Sequence, residues 1–407
     1  MSGPSRPAAG MSWVAVLASA ALLAITTGTR QSLGLFVRPL ATTGLGIETI
    51  SLILAIGQFF WGASQPAFGI LAERIGTLRV LLLGGILLAV GLALTPFVSS
   101  AGGLLASLGI LSAVGCGAGS FSLLIGAVSR RVPPAQQPMA AAWINVGGSI
   151  GQLVFAPLSQ AVIAAAGWAS GMWTLAGAAL VTLLIARPAV GAGAATEHAG
   201  DPAPPLRELL RPAFSSRSYW YLHLGFFTCG FHIAFLVTHL PSEVALCGLS
   251  GSAAGIALGI IGFMNIAGTL SIGWLSRRLP LRNLLVTLYL LRVAAIGLYL
   301  LSPKTLFTLY AFAAVLGLTW LATVPLTAGL VSKLYGSRHV STLFGLTFLS
   351  HQIGGFFGAW LGGVAVSLTG NYHWIWGLDM VLAALAAIAT LPVREAVFIP
   401  PGAAAVR

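Results

Sequence analysis

A few residues stand out because their chemistry is costly in the apolar sequence around them. Arg30 offers a permanent positive charge and a planar fork of donors that matches a carboxylate. His232 and His351 offer imidazoles, the side chains that gain and lose protons near neutral pH. Polar residues recur at three- and four-residue spacing as Gln58, Trp61 and Gln65, and again as Asn145, Ser149 and Gln152. Each set therefore falls on one helix face. Gln31 follows Arg30, Gln352 follows His351, and Asn265 is the one strong polar group of its segment. With Trp320 and Phe121 as walls, these residues read as a site for a small organic anion. The substrate contacts expected are Arg30, Gln31, Gln58, Trp61, Phe121, Asn145, Gln152, His232, Asn265, Trp320, His351 and Gln352, with proton coupling at His232 and His351. Arg292 and Asp379 are also deep in apolar sequence, and the expected role for them is a structural ion pair. Arg30 has an alternative reading as an anchor at the membrane interface. Each histidine has an alternative as a plain interhelical hydrogen bond. No phosphate loop, metal-ligand spacing or nucleophile constellation is present, so neither cofactor, metal nor enzyme activity is expected. Cys116, Cys229 and Cys247 have no disulfide or zinc spacing.

The elements that must carry these residues follow from composition. Only 7% of the 407 residues are charged and mean hydropathy is +0.95, whereas a soluble domain carries about a quarter charged residues. The apolar residues come in blocks near the ~20 residues that cross a bilayer. Six precede a polar gap: Trp13–Thr29, Ile47–Leu71, Val80–Val98, Gly103–Val128, Met139–Ala166 and Trp168–Ala186. Six follow it: Tyr219–Val244, Ser252–Leu275, Leu284–Leu301, Leu306–Val331, Val340–Leu368 and Tyr372–Leu391. None alternates in polarity as a barrel strand would, so the fold class expected is an all-α polytopic membrane protein with twelve transmembrane helices. The net charge of +12 reports topology, not nucleic acid. Arg38 and Lys304 alone fall in odd-numbered loops and Arg30 and Arg292 within spans. Every other Lys and Arg lies in the N-terminus, the even-numbered loops or the C-terminus. That pattern places both termini in the cytoplasm and predicts a multi-pass protein of the cell's inner (plasma) membrane.

The chain repeats itself. Gly126-Ala-Val-Ser129-Arg130 matches Gly329-Leu-Val-Ser332-Lys333, Gly151 matches Gly354 and Gly167 matches Gly370, all at a shift of 203 residues. Gly28 and Pro39 match Gly230 and Pro241 one step away. The domains expected are a six-helix bundle over 1–187, a cytoplasmic linker over 188–216 with a short helix near Leu206–Leu210, and a pseudo-symmetric six-helix bundle over 217–407. At the same shift His232 occupies the position of Arg30.

Gly69-Ile-Leu71-Ala-Glu73-Arg74-Ile-Gly76-Thr-Leu-Arg79 resembles the loop signature of the major facilitator superfamily, with Glu73 in place of its aspartate. The resemblance implies a conformational latch made by Gly69, Glu73, Arg74 and Arg79. The second copy, Gly273-Trp-Leu275-Ser276-Arg277-Arg278, has serine where the acid belongs. Arg30-Gln31-Ser32-Leu-Gly34-Leu-Phe36 and His351-Gln352-Ile-Gly354-Gly-Phe-Phe-Gly358 resemble bacterial members of the monocarboxylate and oxalate/formate-antiporter-like branch. The resemblance implies alternating access with the substrate between two halves, Arg30 near the place of a helix-1 lysine, and His351 near a helix-11 lysine. It departs in helix 8, where those carriers have an aspartate and an arginine and this chain has Asn265. The function expected is a secondary active or facilitative transporter of a monocarboxylate-like anion, with protons as the candidate co-substrate, acting as a monomer. The alternatives are an exporter of drugs or neutral metabolites with the same fold, and a membrane receptor or sensor that binds without transport.

Overall fold

The computed structural model describes residues 13–129, 132, 137–190, 206–335 and 340–395. Eleven helices are long and apolar enough to cross a membrane. One of them, Met139–Val190, has 52 residues and would be roughly 78 Å long at ~1.5 Å per residue, more than twice a hydrocarbon core. It is two spans joined at Gly167, whose φ of +83° breaks the helix. Gly370 joins the last two spans with φ +69°. These two repeat-matched glycines hold a left-handed backbone that other residues rarely adopt. Twelve spans result among the described residues.

We number the spans in chain order: span 1 Trp13–Ala41, 2 Ile47–Ala72, 3 Thr77–Phe97, 4 Ala101–Val128, 5 and 6 on either side of Gly167, 7 Arg217–Leu246, 8 Gly251–Leu275, 9 Leu281–Leu301, 10 Leu306–Tyr335, 11 Leu343–Thr369 and 12 His373–Thr390. A short helix, Leu206–Ser215, precedes span 7. Its Ala213 is fully buried in a cluster with Tyr219, Leu284, Leu326 and Leu343. Residues 191–205 of the expected linker lie outside the described residues.

The described residues group into two compact units, one within 1–45 and 60–197, the other within 46–59 and 198–407. In the first, span 1 packs closely on span 5. A Cβ added at Gly147 or Gly151 would collide with the backbone of Ala20 or Ala24. The second unit repeats the device, because a Cβ at Gly354 or Gly358 would strike the backbone of Phe227 or Phe231. Small residues let helix backbones touch where lipid gives no hydrophobic drive for association.

Spans 4 and 10 are interrupted at matching places. Span 4 is helical over Ala113–Ala118 and restarts at Phe121. Span 10 is helical over Leu306–Thr319 and restarts at Thr323. An interrupted membrane helix frees backbone polar groups that neighbouring side chains must satisfy. Paired interruptions in the two halves of a transporter mark the neighbourhood of its site.

Candidate functional site

In the first unit the site starts from Arg30. Span 1 does not end near Thr29. After Ser32 it continues as one tight 3₁₀ turn, Leu33–Phe36, and a last α-turn, Val37–Ala41. The midpoint of Trp13–Ala41 is residue 27, so Arg30 sits three residues, about 4.5 Å, from the span's centre. Along the helix Arg30 is therefore nearer the middle of span 1 than its end. The guanidinium carbon lies 4.0 Å from the centroid of the Trp61 ring, a cation–π contact that holds the charge without neutralising it.

The interruption of span 4 is beside it. Thr26, one turn before Arg30, donates its hydroxyl to the Gly119 carbonyl at 3.0 Å. Cys116 donates its thiol to the Thr26 carbonyl at 3.5 Å. Just beyond the break, Ser120 and Ser122 hydroxyls are 3.0 Å apart and Ser122 donates to Gln65 Oε1 at 3.1 Å. Phe121 is exposed at the restart of the helix. Gln152 is fully buried with neither amide atom hydrogen-bonded, and Gln31 is buried with its Oε1 unbonded. Asn145 is half-buried. The first unit thus holds one fixed cation, an aromatic platform and several small donors.

The second unit is built differently. His232 Nδ1 and Asp379 Oδ2 are 2.5 Å apart, with both side chains buried. Arg292 is fully buried too, yet its Nη2 donates to the carbonyls of Thr319 at 2.8 Å and Trp320 at 2.9 Å, and to Cys229 Sγ at 3.7 Å. The expected Arg292–Asp379 ion pair is therefore corrected. Arg292 caps the carbonyls freed where span 10 breaks, and Asp379 takes His232 instead. Asn265 completes the repair: its Oδ1 accepts the Leu321 N–H at 3.0 Å. Cys229 Sγ and Thr323 Oγ1 are 3.2 Å apart at the restart of the helix. Trp320 is fully buried, edge-on to the His232 ring at 6.1 Å.

His351 stacks on Phe348 at 5.3 Å with rings nearly parallel, and packs against Phe226. Gln352 Oε1 accepts from Gln58 Nε2 at 2.6 Å. Gln58 belongs to the stretch 46–59 that packs in the second unit, where Ala55 meets Ala234 and Ala359. His239 illustrates the plain alternative for a buried histidine. Its Nε2 donates to the Ala359 carbonyl at 2.7 Å, and its Nδ1 accepts from the Tyr372 hydroxyl at 3.2 Å.

Of the expected latch, Gly69 is half-buried, Arg74 is exposed, and Arg79 donates to the Ile75 carbonyl at 3.3 Å, capping its helix. The Glu73 side chain lies outside the described residues. Sequence reasoning missed an acid in the second unit. Glu395 accepts from the Arg282 backbone N–H at 2.7 Å and from Lys333 at 2.7 Å. Partial burial opposes its ionisation, but the Lys333 ammonium and the Arg282 N–H outweigh that and hold its carboxyl below the usual range.

Residues 9–359 match the Major Facilitator Superfamily. The chain belongs to that superfamily. It is 23% identical over 407 residues to the uncharacterized MFS-type transporter YcxA of Bacillus subtilis, covering 95% of this chain and 96% of that protein. Monocarboxylate transporter 13 of Rattus norvegicus is 26% identical over 90% of this chain and 85% of its own length. Monocarboxylate transporter 11 of Mus musculus is 27% identical over 90% and 83%. The fold is also that of two solved structures. A D-xylose-proton symporter matches at TM-score 0.72 and 14% identity, covering 94% of this chain and 97% of that one. An inward-facing bacterial homolog of the human lysosomal transporter Spinster matches at 0.69 and 15%, covering 95% and 93%. The chain is thus a multi-pass membrane transporter of this superfamily, and no enzyme family is indicated.

Proposed function

We propose that this transporter carries a small organic anion of the monocarboxylate type by alternating access. The observation that carries the reading is Arg30. It is a fixed cation about 4.5 Å from the centre of its span, held against an aromatic face. An arginine at that depth is costly in lipid and marks a pathway or a partner. Its fork pairs with a carboxylate in two parallel hydrogen bonds. Trp61 offers an apolar face for the rest of a short acid, and Ser120, Ser122, Gln31, Asn145 and Gln152 offer further donors. Cation carriers would need embedded carboxylates in this unit's spans. The relatives named as monocarboxylate transporters agree with the reading.

The test is uptake into liposomes containing the purified protein, comparing radiolabelled L-lactate with its uncharged amide. Uptake of lactate alone, abolished in Arg30→Ala and partly kept in Arg30→Lys, is the expected outcome. Lysine keeps the charge but loses the fork. Equal uptake of the amide would favour a carrier of neutral solutes, and transport by Arg30→Ala would make Arg30 structural. Both termini and the 188–216 linker belong in the cytoplasm on the basic-residue pattern. A cysteine introduced at Ala195 should react with an impermeant thiol reagent only after the membrane is opened.

A further inference from the structure

Arg292 and Asp379 are both fully buried, and a buried ion without compensation costs several kcal/mol. With Arg292 cationic, Asp379 anionic and His232 neutral, the cluster carries no net charge. Arg292 is fixed to the interrupted span 10 through the Thr319 and Trp320 carbonyls. An ionised Asp379 balances that charge. In that state the His232 Nδ1–H donates to Asp379 Oδ2 at 2.5 Å. A carboxylate on one ring nitrogen fixes the tautomer and leaves the other nitrogen as the atom that can take a proton. That other nitrogen, His232 Nε2, is buried and has no hydrogen-bond partner, and neither does Asp379 Oδ1.

We propose that His232 and Asp379 form a proton-binding site that loads at His232 Nε2 while the carboxylate stays ionised. Loading converts a neutral imidazole into an imidazolium and leaves an imidazolium–carboxylate pair. The cluster's net charge goes from zero to +1. An added buried positive charge is opposed by Arg292 and favoured by an anion in the same protein. The site is thus filled when the transported anion is bound and emptied when it leaves. This last step rests on the anion reading above, whereas the proton site itself does not.

The surroundings suit the role. The charged and titratable groups at this level are Arg292 and Tyr289 of span 9, Cys229 one turn before His232, and His351 of span 11, whose carbonyl abuts Gly230. Spans 8 and 10 contribute only the uncharged Asn265, Thr319, Trp320 and Thr323. Asp379 is the acid that answers Arg292, and Trp320 closes over the imidazole. The geometry also separates His232 from the other buried histidines. Both ring nitrogens of His239 are engaged, and His351 is sandwiched in phenylalanine rings.

The decisive measurement needs no solute. Nitrogen NMR of ring-labelled histidine in the purified full chain, scanned between about pH 5 and 8, should show one buried imidazole gaining a proton. Its signal should be missing in His232→Gln and should titrate at lower pH in Asp379→Asn, which removes the carboxylate. If the asparagine variant fails to fold, Asp379→Glu keeps the charge and should keep the titration. A His232 ring that stays neutral throughout overturns the proton site, whatever the protein carries. The linkage is read separately, from L-lactate uptake into liposomes. A pH gradient should stimulate uptake in the wild type but not in His232→Gln. Full gradient stimulation in His232→Gln overturns the linkage. Absence of lactate transport in the wild type counts against the anion reading and leaves the NMR result to decide the site.

Discussion

The two interrupted spans are matched by the repeat but mended with different chemistry. In span 4 the freed Gly119 carbonyl is taken by the hydroxyl of Thr26. In span 10 the carbonyls of Thr319 and Trp320 both accept from the Nη2 of Arg292, and the Leu321 N–H donates to an amide oxygen. Each unit has one arginine deep in its described spans, and that of the second unit puts its Nη2 into the repair. Arg30 lies against the Trp61 face. Equivalent breaks in a duplicated fold can therefore be mended differently, one by a neutral hydroxyl and the other by a charged side chain and an amide.

The sharpest way to break this contrast is to truncate the two arginines. Arg292→Ala should cost most, because it strands the buried Thr319 and Trp320 carbonyls at about 1–3 kcal/mol each. Thermal unfolding in detergent would show it as a large drop in midpoint. Arg30→Ala should unfold near the wild-type temperature while losing anion transport. If both arginines behave alike, the contrast fails. A smaller effect is expected from Asn265→Ala, which strands the Leu321 N–H at a cost of about 1–3 kcal/mol. Its counterpart Thr26→Val removes a single neutral hydrogen bond, for about 0.5–1.5 kcal/mol. Ranking these two by chemical denaturation tests whether the second break is the more heavily braced.

Much of this was legible in the sequence and some was not, for physical reasons. The twelve spans could be read because lipid admits only long apolar helices, and Gly167 was already visible as the gap between the fifth and sixth blocks. Gly28, Gly151, Gly230 and Gly354 matched across the repeat because close backbone contact tolerates nothing larger at each of them. Arg30 declared itself by its cost, although the sequence placed it late in a shorter span. The 3₁₀ turn that carries the helix on to Ala41 has no distinctive residue pattern. The pairing of Asp379 could not be read, since depth along a helix says nothing about which neighbours it faces. Arg292 and Asp379 lie at similar depths and still choose different partners. The break in span 4 had a faint signal in the run Gly115-Cys-Gly-Ala-Gly119. The break at Trp320-Leu-Ala322 had none, because it is imposed by side chains from spans 8 and 9.

The smallest expected effect concerns Glu395. Its carboxyl is held below the ordinary value, so the stabilisation is present at neutral pH and is lost as pH falls through the lowered value. Lys333 is about half exposed, which limits the contribution to at most about 1 kcal/mol. Glu395→Gln should therefore unfold slightly earlier than the wild type at neutral pH. The gap should close on acidification below the usual glutamate range, about pH 4.3.

Glu395 also changes where the working part of the chain is judged to stop. It follows the last membrane helix and would ordinarily be counted as tail. Its carboxylate nonetheless ties the start of span 9 to the end of span 10. For protein engineering the practical boundary thus lies beyond residue 395. A reporter or affinity tag fused directly after Thr390 would remove an acid that the loop at Ser276 lacks, and any fault in the fusion would then be misread as a fault of the reporter.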